Sequence, residues 1–229
     1  MVRKIKKARE KELEKPDEFI TFFSKIAEYI GKNKKQVLSA GSVILIVILA
    51  VTGFLYYSAK MERKAAVILS QGADKYEKAM QTKTPQEAYK EVTPDFNSFL
   101  ENYSGKKSGH NARLIYANIC YNGGDYDKAI TLLEQGLEDF ETQPFISSLI
   151  LNSLGFAYEA KKNLPKAIEY FEKAVSNPEA AMKDEAFFHI GAIYSEMEKP
   201  AKSEEAFKKI ISDHTDSIFI DVVREKVTG

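Results

Sequence analysis

One uncharged stretch, residues 37–57, constrains this chain more than any other part of it. Its 21 residues read VLSAGSVILIVILAVTGFLYY, and twelve of them are Leu, Ile, Val or Phe. A helix rises about 1.5 Å per residue, so this stretch would cover about 31 Å, the thickness of a bilayer's hydrocarbon core. The alternative is a buried helix of a soluble protein, but such a helix normally keeps a polar face. The sequence therefore predicts a single transmembrane helix.

The charges are divided unequally between the two sides of this helix. Residues 1–36 contain eleven Lys or Arg and six Asp or Glu, whereas the rest of the chain contains 22 basic and 27 acidic residues. A short basic segment before a membrane helix is typical of the cytoplasmic side, so we expect a cytoplasmic amino terminus. The apolar stretch is longer than that of a cleaved signal peptide, which predicts an uncleaved anchor. The acidic remainder is unsuited to phosphate backbones, and we expect no nucleic-acid partner.

Residues 1–36 are predicted to form a basic cytoplasmic tail that ends in an amphipathic helix. Pro16-Asp17-Glu18 is a helix-start pattern, and the apolar residues of segment 19–30 then recur on one broad face. They are Phe19, Ile20, Phe22, Phe23, Ile26, Ala27, Tyr29 and Ile30. A helix of this kind, followed by three lysines, can lie among lipid headgroups. A groove on a partner protein would bury the same face, and the sequence leaves both possibilities open.

After the membrane helix the sequence repeats itself at intervals of 38 and 36 residues. The clearest copy has Leu154-Gly155, Tyr158, Ala167 and Phe171, the next has Ile190-Gly191, Tyr194, Ser203 and Phe207, and a looser one has Ala117, Cys120, Ala129 and Leu133. Glycine inside a helix costs about 1 kcal/mol relative to alanine. Gly155 and Gly191 therefore indicate that two helices approach closely at these points. The pattern predicts antiparallel helix pairs packed one after another.

A weaker helix pair is predicted between the membrane and these repeats. Residues 58–109 are read as a linker helix and a degenerate first repeat, with a break at 82–85. Pro94 is expected to start the second helix of this pair, because proline suits the first turn of a helix. Residues 104–109 are expected to form a polar turn.

The remaining residues, 110–229, are predicted to hold the clearer repeats and a terminal helix. Residues 217–226 have the pattern of a solitary helix that would cover the last repeat, with Ser217 as its cap. Repeat arrays need such a cap because the last pair would otherwise expose its core. The predicted fold class is thus all-α, with one transmembrane helix followed by a helical solenoid.

The sequence contains no pattern typical of catalysis or of metal binding. His110, His189 and His214 lack the spacing of metal ligands, and Cys120 has no cysteine neighbour. The motifs Gly-x-Ser-x-Gly and His-Glu-x-x-His and the P-loop are absent. We therefore expect a binding protein rather than an enzyme, with no cofactor and no small-molecule substrate.

The residue types and spacings of the copies resemble the tetratricopeptide repeat. That resemblance implies a protein-binding groove lined by the first helix of each pair. By position the lining would be Asn118, Tyr121, Asn122, Asn152, Phe156, Glu159, Phe188, Ser195 and Glu196. The set contains no Lys or Arg, which argues against a site that clamps a partner's terminal carboxylate. For Phe156 and Phe188, packing against neighbouring repeats is the alternative.

The layout of tail, single membrane helix and repeat domain resembles the ancillary subunit family of the bacterial Sec translocon. That resemblance implies a single-pass inner-membrane protein with periplasmic repeats that act as a scaffold or chaperone for secreted chains. Its partners would be the translocon, secreted chains, periplasmic chaperones and membrane lipid. Two other classes stay open: an envelope assembly factor that recruits enzymes of cytochrome maturation or cell division, and a non-catalytic subunit of a membrane enzyme.

The charge pattern generates a test of topology. A reporter enzyme that is active only outside the cytoplasm, fused after Gly229, should be active, because the tail holds the amino terminus inside. Activity of a cytoplasm-only reporter at the same position would contradict both the topology and the translocon interpretation.

Overall fold

The computed structural model describes residues 18–228, and these residues form ten α-helices and no strand. In chain order the helices are α1 (Glu18–Lys32), α2 (Lys34–Met80), α3 (Pro85–Tyr103), α4 (Lys107–Asn122), α5 (Tyr126–Asp139), α6 (Pro144–Ala160), α7 (Leu164–Ser176), α8 (Lys183–Glu196), α9 (Pro200–Asp213) and α10 (Ile220–Thr228). The chain divides into two compact units between Lys60 and Met61. Residues 1–17 of the predicted tail, with the Pro16-Asp17 helix start, lie outside the described residues.

Helix α2 contains the whole predicted transmembrane stretch and continues past it to Met80. Within residues 18–228, it is the one helix whose length and composition would allow it to cross a membrane. The most apolar segment of α2 is not buried by any other part of the described protein. Leu45 and Phe54, for example, are 57% and 70% exposed. Apolar side chains exposed on all sides of a helix are stable in lipid and unstable in water.

The second unit is a row of antiparallel helix pairs. Residues 61–80 of α2 lie beside α3, and the following pairs are α4–α5, α6–α7 and α8–α9, with α10 last. One continuous apolar core connects the successive pairs, from Phe96 in the first to Ile193 in the last. At the first joint, the rings of Phe96 and Tyr116 stack with their centroids 5.0 Å apart. The fold is the predicted all-helical solenoid.

The two strongest repeats are held by contact between a glycine and a phenylalanine ring. A Cβ added to Gly155 would lie 2.6 Å from the ring of Phe171, and one added to Gly191 would lie 2.5 Å from the ring of Phe207. Both rings are buried, so they have no free space into which to move. Ser203 adds a hydrogen bond by donating from its hydroxyl to the carbonyl of Gly191 at 2.8 Å. The predicted close helix approach is confirmed.

The turns inside the repeats also match one another. Gly124, Lys162 and Glu198 occupy the left-handed region, with φ of 85°, 60° and 57°, each one residue before the cap of the second helix. In the first two turns an Asp125 or Asn163 side chain accepts a hydrogen bond from the new helix. The equivalent Lys199 gives no such bond. Glycine suits this conformation best, so the other two turns carry a small local strain.

Two sequence predictions about the first pair are wrong. Pro94 lies inside α3, which begins at Pro85 instead. The helix starts there because the Thr84 hydroxyl accepts from the amide of Glu87 while the Glu87 carboxylate accepts from the amide of Thr84. This reciprocal cap stabilises the start enough for an exposed proline to be tolerated later in the helix. The turn after α3 is also shorter than predicted, because α4 already begins at Lys107.

The start of α4 is capped by a residue that is far away in the sequence. Its own N-cap residue, Lys106, provides no side-chain bond to the helix. The carboxylate of Glu62 instead accepts bonds from the amides of Lys107 and Ser108, at 3.1 and 2.8 Å, and from the Ser108 hydroxyl at 2.6 Å. Burial alone would raise the pKa of Glu62, but these hydrogen bonds outweigh it and the pKa lies below its ordinary value.

The terminal helix begins at Ile220, three residues later than the predicted start. Ser217 accepts a bond from the amide of Phe219 at 3.2 Å and donates to Asp184 at 2.6 Å. The ring of Phe219 stacks on that of Phe188, with centroids 4.4 Å apart, and Val223 is fully buried. Helix α10 therefore covers the core of the last pair.

Gly155→Ala should destabilise the second unit, because the new methyl group would overlap the buried Phe171 ring. Overpacking of this kind costs about 1–3 kcal/mol, and the measurement is thermal or urea unfolding of residues 58–229. Gly105→Ala is the matched control, since no atom lies within 4 Å of the position that its Cβ would take. Equal unfolding curves for the two variants would contradict the close helix approach.

Glu62→Ala should lower the free energy of unfolding by about 0.5–2 kcal/mol, the usual range for a lost helix cap. The folded-state pKa of Glu62 is lowered, so its contribution is fully present above the unfolded-state value of about 4.3 and is lost as the pH falls through the folded-state pKa. The difference between wild type and variant should therefore shrink in acid. Glu77→Ala, at an exposed position of α2, is the control, and an equal effect there would refute the cap.

Candidate protein-binding groove

An apolar cavity of about 280 Å³ lies between the first helices of two neighbouring pairs. Helix α4 contributes Leu114, Ala117, Asn118 and Tyr121, helix α6 contributes Ile146, Leu149, Ile150, Ser153 and Phe156, and Leu133 of α5 completes the lining. On both first helices these residues recur every three or four positions, so one face of each helix points to the cavity. We call this cavity the α4–α6 groove.

Three of the predicted lining residues belong to the α4–α6 groove: Asn118, Tyr121 and Phe156. Asn118 is exposed, whereas the two aromatic side chains are half-buried. Burial raises the pKa of Tyr121, so its hydroxyl stays protonated at neutral pH. Phe156 also meets the ring of Phe171 edge-on, at 5.1 Å between centroids. It therefore lines the groove and packs against the neighbouring helix at the same time.

The other predicted residues lie elsewhere on the solenoid. Asn152 is 3% exposed, and its amide nitrogen lies 3.5 Å from the carbonyl of Ala181 at the joint with the next pair. Phe188 is stacked against Phe219, the residue just before the terminal helix. Neither side chain lines the groove, so any role of these two residues in binding is separate from it.

Glu159 lies next to the groove and pairs with the following repeat. Its carboxylate is 2.9 Å from Nδ1 of His189, whose ring meets that of Phe156 edge-on at 4.7 Å. Of the remaining predicted residues, Asn122 bonds to Asn118 at 3.4 Å, and Ser195 and Glu196 are exposed on α8. That Glu159, Asn122, Ser195 and Glu196 bind a partner stays a prediction.

Sequence reasoning missed most of the residues that line the groove. Leu114, Ile146, Leu149 and Ser153 lie on the turns before the positions that the repeat resemblance implied. The signal was present in the helical spacing of Leu114, Ala117 and Tyr121. That spacing could not show which apolar face stays open, because this depends on how the next pair packs.

A second and larger cavity, of about 520 Å³, lies between residues 61–80 of α2 and helix α3. Its floor includes Leu69 and Phe96, and an ion pair between Lys75 and Asp95, 2.7 Å apart, lies at its edge. A Cβ on Gly72 would lie 3.5 Å from the Phe96 ring, an ordinary contact. The first pair thus lacks the tight glycine contact of the later pairs.

Burial shifts the pKa of two titratable side chains in or beside the core. Burial, together with the charge of Asp125, raises the pKa of the Cys120 thiol to about 12, so the thiolate does not form at neutral pH. Burial also raises the pKa of Tyr89, whose hydroxyl donates to Asp125 at 2.6 Å. In the part of the chain that the structure describes, no group of three or more His, Cys, Asp or Glu side chains is placed to hold a metal ion.

A row of helix pairs with an apolar groove on its first helices defines a class, the helical-repeat proteins, whose exposed surfaces bind other proteins. The chain matches the model of the tetratricopeptide repeat-like domain over residues 30–228, and it belongs to that family. The match includes the apolar part of α2 as well as the helix pairs.

Solved structures show the same fold in distant proteins. A kinesin light chain repeat protein of Podosopora anserina has 13% identity, with a TM-score of 0.53 over 69% of this chain and 84% of that one. BtubC (BKLC) of P. vanneervenii has 9% identity, with a TM-score of 0.52 over 71% of this chain and 81% of that one. At such low identity the likeness concerns the fold alone. Among curated proteins no sequence matches the chain.

Proposed function

We propose that this protein is a membrane-anchored tetratricopeptide-repeat scaffold that binds extended apolar segments of secreted chains beside the translocon. Residues 37–57 would cross the bacterial inner membrane, with the tail in the cytoplasm and the repeats in the periplasm. The observation that carries the proposal is the open α4–α6 groove. The groove belongs to a fold whose family binds other proteins through its surfaces. The same chain contains a helix that is apolar enough to span a membrane.

The chemistry of the groove suits an extended, unfolded partner. Its floor is formed by aliphatic and aromatic side chains, so an apolar side chain of the partner would leave water on binding. Asn118 and Ser153 lie among the lining residues and can exchange hydrogen bonds with the partner's backbone. Such a site accepts many sequences, which is what a scaffold for different secreted chains requires.

The charge of the groove also favours such a partner. The lining includes no Lys or Arg, and the chain after residue 36 has more acidic than basic residues. A basic clamp for a terminal carboxylate is therefore missing from the α4–α6 groove. Recognition would depend on apolar contact along the partner, and not on one charged end of it.

The proposal is tested by filling the groove without removing its core. Ser153→Phe should place a ring in the groove and weaken capture of a stalled secretory chain, because loss of a central contact costs about 2 kcal/mol, or roughly thirtyfold in affinity. The measurement is crosslinking from a photoreactive residue at the exposed position Asn118 of the full-length protein in membranes.

Ser176→Phe is the matched control, because its hydroxyl also bonds within its own helix while its side chain is exposed away from the groove. Both variants should keep the wild-type melting temperature within a few degrees. Unchanged crosslinking in Ser153→Phe would contradict the groove. Co-purification in mild detergent of a stoichiometric enzyme, in place of translocon subunits, would contradict the assignment to secretion.

A further inference from the structure

Helix α1 has an apolar face whose side chains are largely exposed in the part of the chain that the structure describes. The residues of this face, with their exposed fractions, are Ile20 (67%), Phe22 (61%), Phe23 (57%), Ile26 (40%), Tyr29 (62%) and Ile30 (43%). At about 100° per residue they occupy roughly half of the helix circumference. Ser24, Lys25, Glu28 and Lys32 fall on the other half. A helix so divided needs an apolar surface on one side and water on the other.

We infer that α1 lies along the surface of the bilayer that α2 crosses, with its apolar face among the acyl chains and its lysines among anionic headgroups. The partner of α1 would thus be lipid, on the membrane side where the amino terminus lies. This inference rests on the membrane anchoring in the proposed function, but it does not depend on what the repeats bind.

The short connection to the transmembrane helix keeps α1 next to the bilayer. Only Asn33 separates α1 from α2, and the transmembrane stretch begins at Val37. Ile30 is therefore about 10 Å of helix from the apolar stretch, so the lipid surface is present at a high effective concentration. Gly31 and Asn33 form the joint, and a Cβ on Gly31 would meet no atom within 4 Å. Glycine is the residue whose backbone bends at least cost, so a bend at this boundary that turns α1 away from the axis of α2 is sterically open.

The charges beside the apolar face favour anionic lipid over a protein groove. Lys25, Lys32, Lys34 and Lys35 lie on or directly after α1, and residues 1–36 carry eleven basic against six acidic residues. Each Lys or Arg near an anionic membrane surface adds to the electrostatic attraction between helix and lipid. Glu28 lies 2.7 Å from Lys32, so these two charges offset each other, and the positive charge toward the headgroups comes from Lys25, Lys34 and Lys35.

The aromatic residues of the face point to the same location. Phe22 and Phe23 are in edge contact, with centroids 5.7 Å apart, and Tyr29 follows near the end of the helix. Aromatic rings are enriched where headgroups meet acyl chains, and amphipathic helices bury their apolar face about 5–10 Å into that boundary. A helix destined for water would not expose three such rings.

The test is a measurement of depth with fluorescent labels on single cysteines in the full-length protein. Ile26→Cys lies on the apolar face, and Ser24→Cys is the matched control on the polar face of the same helix. Ile48→Cys, in the middle of the transmembrane stretch, reports whether α2 is inserted. The native Cys120 is fully buried and its thiol has a pKa of about 12, so it stays unlabelled while the protein is folded.

The labelled proteins are reconstituted in phosphatidylcholine vesicles with and without phosphatidylglycerol, and quenching by lipid-attached and by water-soluble quenchers is compared. We expect the Ile26 label to be quenched from the lipid side several-fold more than the Ser24 label, and the difference to grow with phosphatidylglycerol. In the double variant Phe22→Ser and Phe23→Ser, the Ile26 label should be quenched mainly by the water-soluble quencher. The Ile48 label should be quenched by lipid in every case.

Equal exposure of the Ile26 and Ser24 labels to water, with Ile48 quenched by lipid, would overturn the inference and leave the anchor intact. That result is expected if α1 continues α2 in line, or if a partner protein covers the apolar face in the cell. Exposure of the Ile48 label to water would overturn the anchor itself, and with it both the membrane part of the proposed function and the position of α1.

Discussion

The distance between paired helices, set by a glycine against a phenylalanine ring, is the constraint on which the repeat unit depends. At Gly155 and Gly191 the ring of the second helix occupies the space that a side chain would need. The two helices of each pair then share one buried layer, against which the next pair packs. Where the contact is looser, at Gly72 and Phe96, a cavity of about 520 Å³ opens between the helices.

Sequence reasoning predicted the later repeats well because each of their signals has a local cause. A helical period, an interhelical turn and a glycine at the crossing can all be read from short segments. The first pair shows where this fails. Pro94 by itself predicts a helix start, but the capping pattern that begins with Thr84 and ends with Glu87 starts the helix earlier. Two start signals competed, and the reciprocal cap outweighed the proline.

The groove was harder to predict because it depends on contacts between pairs. The repeat resemblance correctly predicted that first helices line the groove, and it predicted three of the lining residues, Asn118, Tyr121 and Phe156. It could not show that Phe188 lies under the terminal helix or that Asn152 reaches the loop at Ala181. The cap of α4 by Glu62 is another contact of this kind, since the two partners are about 45 residues apart. Such contacts leave no periodic trace in the sequence.

The burial of Cys120 has a consequence for how the solenoid can be studied. The thiol belongs to the core shared by the first two helix pairs, and burial keeps it protonated. An alkylating reagent can therefore reach it only when these pairs separate, so the rate of alkylation reports the free energy of local opening. In an oxidising compartment the same burial would protect the chain from disulfide exchange with other proteins for as long as it stays folded. The alkylation rate of the Cys120 sulfur therefore measures how often the first two helix pairs open.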